Sequence, residues 1–235
     1  MRGQSEKLKA HEISTLLRGE LAIIAGWIEQ NNVRRFALHI AIVIVGTGLY
    51  GAAMGWWRDP QQALFTAIKF PLIILLTTIG NALINAMLAP LLGLNIPFRQ
   101  SFSAILMSFT IASAILGTFS PVIAFMVWNT PDVTSKGPTY GIILLAHVAV
   151  IALAGITGNI RLFQLLSRLG GSNAVASRVL FAWLVGNLFL GSQLSWILRP
   201  FIGSPDLPIE FLRANALHGN FYEAVFHSFT QLFND

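Results

Sequence analysis

Residues 70–94 read Phe-Pro-Leu-Ile-Ile-Leu-Leu-Thr-Thr-Ile-Gly-Asn-Ala-Leu-Ile-Asn-Ala-Met-Leu-Ala-Pro-Leu-Leu-Gly-Leu, 25 positions without a charged side chain. About 20 such residues suffice for a helix to cross the ~30 Å hydrocarbon core of a bilayer. The apolar residues follow one another instead of alternating, so a membrane β-strand is a poor fit. Backbone groups left unpaired in lipid are too costly to tolerate, which leaves a helix. Comparable runs cover 36–57, 102–128, 140–160 and 179–198. The five runs predict an all-α, polytopic membrane helix bundle over residues 35–200. An N-terminal region, 1–34, and a C-terminal tail, 201–235, flank it.

The totals agree. Of the 235 residues, 54% are hydrophobic and 11% charged, with a mean hydropathy of +0.66. Soluble domains carry about 25% charged residues, so lipid is the expected solvent for much of this surface. There is no cysteine, which excludes disulfides, thiolate metal sites and cysteine nucleophiles. The net charge of +5 comes from scattered arginines and not from a block, so no nucleic-acid partner is expected.

The stretch before the first span is mixed in character and includes Glu6, Glu12, Glu20 and Glu29, unlike a secretory signal. Between Ser5 and Asn32, the residues Ile13, Leu16, Leu17, Leu21, Ile24 and Ile28 recur at helical spacing. The pattern fits a helix in the headgroup plane or one packed on the cytoplasmic end of the bundle. Basic residues set the orientation. With the N-terminus cytoplasmic, Arg2, Lys7, Lys9, Arg18, Arg34, Arg35, Arg99, Arg161, Arg168 and Arg178 lie inside. Arg58, Lys69, Lys136, Arg199 and Arg213 lie outside, giving ten against five. Trp56, Trp57, Trp128 and Trp196 then fall at outer ends, where aromatic belts form. Five spans place the C-terminus outside. The compact loops fit a bacterial inner membrane.

Polar residues within spans are the candidate functional positions. Asn81 and Asn85 share a face of the second span, with Thr77 and Thr78 a turn earlier. Ser108, Thr110 and Ser113 of the third span, and Asn187, Ser192 and Gln193 of the fifth, are candidate partners. The set Asn81, Asn85, Ser108, Thr110, Asn187 and Gln193 reads either as interhelical glue, at about 1 kcal/mol per bond, or as a pore face. Lys69 lies close enough to the outer end of its span to snorkel. His39 and His147 differ in expected depth by roughly 13 Å on a ~30 Å core, too far for one bis-histidine haem. No cofactor is expected, and no metal: His218, Glu223 and His227 offer too few ligands on one helix. Gly48, Gly51 and Gly55, with Gly186 and Gly191, allow close helix approach, within the bundle or between copies. Pro71, Pro90 and Pro121 predict kinks or frayed ends. Residues 161–177, with Gly170-Gly171-Ser172-Asn173, read as a flexible connection. In the tail, Ser204-Pro205-Asp206-Leu207-Pro208 reads as a turn. Tyr222, Phe226, Phe229 and Phe233 then make an aromatic stripe, suited to the outer leaflet or to a partner subunit.

The stretch from Gly80-Asn81-Ala82-Leu83-Ile84-Asn85 through Leu92-Gly93-Leu94-Asn95-Ile96-Pro97-Phe98-Arg99-Gln100-Ser101-Phe102, followed by an apolar span reaching Pro121, resembles the Yip (Rab-interacting) five-span family and its bacterial relatives. The likeness covers about residues 35–200 as a pattern. It implies a non-enzymatic membrane adaptor and carries over no catalytic residue. Neither His-x-x-Glu-His nor His-Glu-x-x-His occurs. The sequence therefore leads to a membrane scaffold or accessory subunit with a protein partner. The alternative is a homo-oligomeric channel or small-solute carrier lined by the polar set above.

Overall fold

A computed structural model describes residues 15, 18, 20–29, 32–131, 139–203 and 208–231. Among them are seven helices: α1 (Leu21–Glu29), α2 (Val33–Trp56), α3 (Pro60–Leu91), α4 (Phe98–Trp128), α5 (Thr139–Gly170), α6 (Asn173–Leu198) and α7 (Phe221–Gln231). Five of these, α2 to α6, are long and apolar enough to cross a membrane. The chain is a polytopic membrane helix bundle.

The helix ends follow local chemistry. Asn32 caps α2, its side-chain oxygen accepting from the Arg35 amide at 3.2 Å. Asp59 caps α3 by accepting from the Gln61 amide at 2.7 Å, with Pro60 in the first turn, where its missing N–H costs nothing. Ser172 caps α6 through the Ala174 amide. At the far end of α3, Gly93 adopts φ +93°; the Leu94 amide reaches back to the Ala89 carbonyl and the Gly93 amide to that of Pro90. This αL closure favours glycine at position 93. Pro71, Pro90 and Pro121 all lie inside helices. Pro121 offers no amide to the Gly117 carbonyl, and the Ser120 hydroxyl donates to that carbonyl instead, at 2.7 Å.

Several helices exceed the apolar runs. α3 begins at Pro60, not near 70, and at ~1.5 Å per residue its 32 residues span ~48 Å. α5 continues through 161–170, and α6 starts at Asn173, so the expected long connection shrinks to a turn at Gly171, φ +63°.

α2 packs along both α3 and α4; α5 lies against α4, and α6 joins α3 and α5. The α2–α3 seam is tight because glycines line it. A Cβ on Gly51 would sit 2.6 Å from the Thr66 carbonyl oxygen, and one on Gly55 2.6 Å from that of Gln62. This small-xxx-small pair therefore serves the bundle itself. α5 and α6 are peripheral: 22% and 17% of their apolar windows are buried, against 39% for each of α2, α3 and α4. Their outward Leu144, Leu145, Val148, Phe181 and Leu188 face the surroundings. α1 packs on α4 and α5, burying Ile24 and Ile28 beside Leu162, Leu165 and Leu166. The described part of the N-terminal region thus packs on the end of the bundle.

Candidate functional site: polar contacts along the third helix

Asn81, Asn85 and Asn187 come together. Both α3 asparagines are fully buried. Asn85 Nδ2 donates to Asn81 Oδ1 at 2.6 Å, and Asn81 Nδ2 donates to Asn187 Oδ1 at 2.6 Å and to the Trp183 carbonyl at 3.2 Å. α6 approaches closely here because Gly186 carries no side chain; a Cβ there would collide with Asn81 Oδ1. Asn85 Oδ1 and Trp183 Nε1 have no partner.

The remaining members of the expected polar set lie elsewhere. Thr110 is buried and turns its hydroxyl back to the Leu106 carbonyl of its own helix. Ser108 faces α5, where its backbone oxygen would lie 2.7 Å from a Cβ on Gly158. Gln193 points to the tail, accepting weakly from the Phe221 amide at 3.4 Å. Sequence spacing put these residues in spans but gave no azimuth relative to α3, and azimuth decides contact.

A second polar cluster lies toward the start of α3. Gln62 Nε2 donates to the carbonyls of Pro200, at 3.0 Å, and Phe201, at 2.7 Å. The Thr66 hydroxyl meets the Phe201 carbonyl at 2.6 Å. Lys69 Nζ donates to the Pro200 carbonyl at 2.7 Å and, more weakly, to that of Glu210 at 3.4 Å. The Lys69 ammonium also lies 5.2 Å from the Phe211 ring centre. Lys69 is fully buried, so the expected snorkelling is corrected. The chain after α6 folds back over it and supplies carbonyl oxygens in place of water. Gln62, Thr66 and Lys69, spaced four and three apart, form a helical stripe, but they precede the apolar run at 70–94, and only Lys69 stands out in the sequence. The acceptors were illegible, because every residue carries a carbonyl.

Beside this clamp, Tyr50 of α2 and His147 of α5 share a hydrogen bond of 2.9 Å between the hydroxyl and Nδ1, with both residues buried. His147 Nε2 has no partner, and the residue lines a cavity of about 540 Å³ walled also by Phe70, Ile74, Val148 and Phe201. His39 lies eleven residues before Tyr50 on α2, about 16 Å away along the axis. The two histidines therefore occupy separate environments. Among the described residues no three His, Asp or Glu side chains gather as a metal set; the side chain of His227 is outside those described.

Near the clamp, two arginines approach the Trp196 ring. Arg199 Cζ lies 3.2 Å and Arg213 Cζ 5.6 Å from its ring centre. Burial, and then the neighbouring Arg213 charge, lower the Arg199 pKa from the ordinary arginine value. Asn220 starts α7 by accepting from the Glu223 amide at 2.8 Å. Tyr222, the first member of the aromatic stripe, stacks on Phe189 at 5.6 Å and bonds the Ser192 hydroxyl at 2.9 Å. It docks on α6, while Val225 and Phe226 point outward, 51% and 64% exposed. Phe229 and Phe233 lie outside the residues whose side chains are described, and of the turn expected at 204–208 only Pro208 is among the described residues. No family model, no curated protein and no solved structure matches the chain.

Proposed function

We propose that the chain is a non-enzymatic scaffold or accessory subunit of a bacterial inner membrane, its N-terminus cytoplasmic and its C-terminus outside. It would act through a protein partner, as the Yip-like pattern at residues 80–102 also implies. The observation that carries this reading is the placement of α7. One edge of the helix is fastened to α6 through Tyr222, Phe189 and Ser192. One turn further along the same helix Val225 and Phe226 remain exposed, and Leu217, in the chain before it, is 79% exposed. Glu223 on the same short helix is exposed too, and a carboxylate is a poor companion for lipid. A protein surface can receive the apolar pair and solvate the acid.

The interior adds weight. The pore reading needs Asn81 and Asn85 on a surface that copies could share, yet both are fully buried inside one chain, Asn81 bonded to α6 and Asn85 to Asn81. That burial favours interhelical attachment through Asn81 as the role of the pair over a conduction path.

The test is native mass spectrometry of the complex from mild detergent, for the wild type and for Val225→Ser with Phe226→Ser. The expected result is a stoichiometric foreign chain in the first and its loss in the second, with the bundle still folded. Recovery of this chain alone, or a partner indifferent to the double substitution, would sink the proposal.

A further inference from the structure

At the end of the bundle opposite the Lys69 clamp, α1, α2 and α4 enclose a cavity of about 460 Å³. Ligand sites typically fall between about 300 and 1,000 Å³. Its depth is apolar, walled by Ile24, Ile28, Leu106 and Met107. Its mouth is different. Arg35 and Arg99, from the first turns of α2 and α4, line it together with Phe36 and Phe98, which are 37% and 46% exposed. Arg35 is steadied over the Trp27 ring at 4.5 Å. An entrance ringed by exposed apolar side chains and two guanidinium groups matches the headgroup boundary of a bilayer, apolar on one side and anionic on the other.

The second observation is His39. It lines the same cavity, is 8% exposed, and its Nε2 has no hydrogen-bond partner. A buried polar group without a partner is costly and calls for an acceptor or donor from outside the chain. His39 follows Arg35 by four residues on one face of α2, so it lies about 6 Å deeper. The cavity thus offers cationic donors at its mouth, a polar ring nitrogen one turn below, and hydrocarbon beneath.

We propose that this cavity binds one acidic glycerophospholipid. The phosphate lies between Arg35 and Arg99, an ester carbonyl one turn deeper accepts from the His39 ring N–H, and an acyl chain occupies the space walled by Ile24, Ile28, Leu106 and Met107. Guanidinium groups suit phosphate because their N–H groups form a planar fork that meets two oxygens at once. A fatty acid meets only one of the two polar levels, and free phosphate leaves the apolar depth empty. The inference is independent of the partner reading above, since it concerns the opposite end of the bundle.

The test is native mass spectrometry of delipidated full-length protein in mild detergent. The titrants are dioleoyl phosphatidylglycerol, its ether-linked analogue, dioleoyl phosphatidylcholine, oleate and inorganic phosphate. One phosphatidylglycerol per chain is expected, bound roughly tenfold or more tighter than the zwitterionic lipid, as loss of charge-assisted bonds predicts. Oleate should bind more weakly, and phosphate should not displace the lipid. Met107→Trp fills the cavity while leaving every surface charge, so it should abolish the adduct; lipids held only around the bundle's rim would persist. Arg35→Gln with Arg99→Gln should erase the preference for the acidic lipid. His39→Phe supplies a check that does not depend on the cavity-filling variant folding. The wild type should prefer the ester to the ether lipid several-fold, and His39→Phe should show no such preference. Equal binding of acidic and zwitterionic lipid by the wild type, or an adduct unchanged in a folded Met107→Trp protein, would overturn the assignment. So would an ester preference that survives His39→Phe.

Discussion

The clamp on the segment after α6 makes a quantitative prediction. Gln62→Leu keeps the approximate size of the side chain and removes its donors to the Pro200 and Phe201 carbonyls. Neither acceptor is orphaned, because Lys69 still serves Pro200 and Thr66 still serves Phe201. The loss is therefore two neutral hydrogen bonds at about 1 kcal/mol each, or ~2 kcal/mol. That is about a 30-fold rise in the population of chains whose segment has lifted away. Adding Thr66→Val removes the last donor to the Phe201 carbonyl, which then bears the cost of an unmade bond. The sum becomes about 4 kcal/mol, on the order of 1,000-fold. The natural chain has no cysteine, so a single Ile202→Cys is a clean reporter; Ile202 is 6% exposed and lies within the clamped segment. Its maleimide labelling rate follows the open population when closing is fast. The single variant should label about 30-fold faster than the reporter alone, and the double variant far faster again. A rise below about threefold in both would refute the reasoning, because it would mean that the apolar packing of Phe201 on Phe70 holds the segment without help from the polar stripe.

Other consequences are simpler to state. Asn81→Leu removes the bonds to Asn187, the Trp183 carbonyl and Asn85 and should cost about 2–3 kcal/mol, seen as a lower melting temperature in detergent; Asn187→Leu, which removes one of them, should cost less, and equal or absent effects would contradict the geometry. Gly55→Ala drives a methyl group into the Gln62 backbone and should destabilise by about 1–3 kcal/mol. Gly155→Ala meets nothing within 4 Å and should be neutral or mildly stabilising in the same melting assay. For orientation, an impermeant maleimide should reach Arg58→Cys from outside intact cells and Ser172→Cys only after permeabilisation; the reverse pattern would invert the proposed topology.

Much of the architecture could be read from the sequence because lipid imposes one demand on every span, that it be long, apolar and internally hydrogen-bonded. Residues 70–94 satisfy it without reference to any neighbour. Helix ends were read less well, since 60–69 and 161–170 continue as helix beyond the apolar runs, where composition turns polar and resembles a loop. The grouping of Asn81 with Asn85 was visible as an i, i+4 pair, and Asn187 as one candidate among several. That Ser108 and Thr110 turn elsewhere depends on how far each helix is rotated about its axis, which a single sequence does not encode at residue level. The clamp was hidden more deeply. Its donors are side chains, but its acceptors are the backbone carbonyls of Pro200, Phe201 and Glu210, placed by a chain reversal that no motif announces.

The two polar clusters belong to one arrangement. Gln62, Thr66, Lys69, Thr77, Asn81 and Asn85 form a stripe that drifts slowly round α3 along its whole length. Where partners are resolved across the helix boundary, they belong to α6 or to the chain leaving it: Trp183 and Asn187 in the helix, then Pro200, Phe201 and Glu210 beyond it. Thr77 faces the same neighbour, 3.8 Å from where a Cβ of Gly191 would lie. α6 is also the span with the smallest buried share, 17% of its apolar window. In lipid an apolar helix surface gains little by leaving lipid for a neighbouring apolar helix, so burial alone positions such a span weakly. Directional bonds do not share that weakness, because each fixes a depth and an azimuth. The stripe on α3 thus supplies to α6 the placement that its modest packing does not, and α7, fastened to α6 through Tyr222, inherits that placement. The orientation of the outward Val225–Phe226 edge is therefore set, two helices away, by amides and an ammonium group on α3.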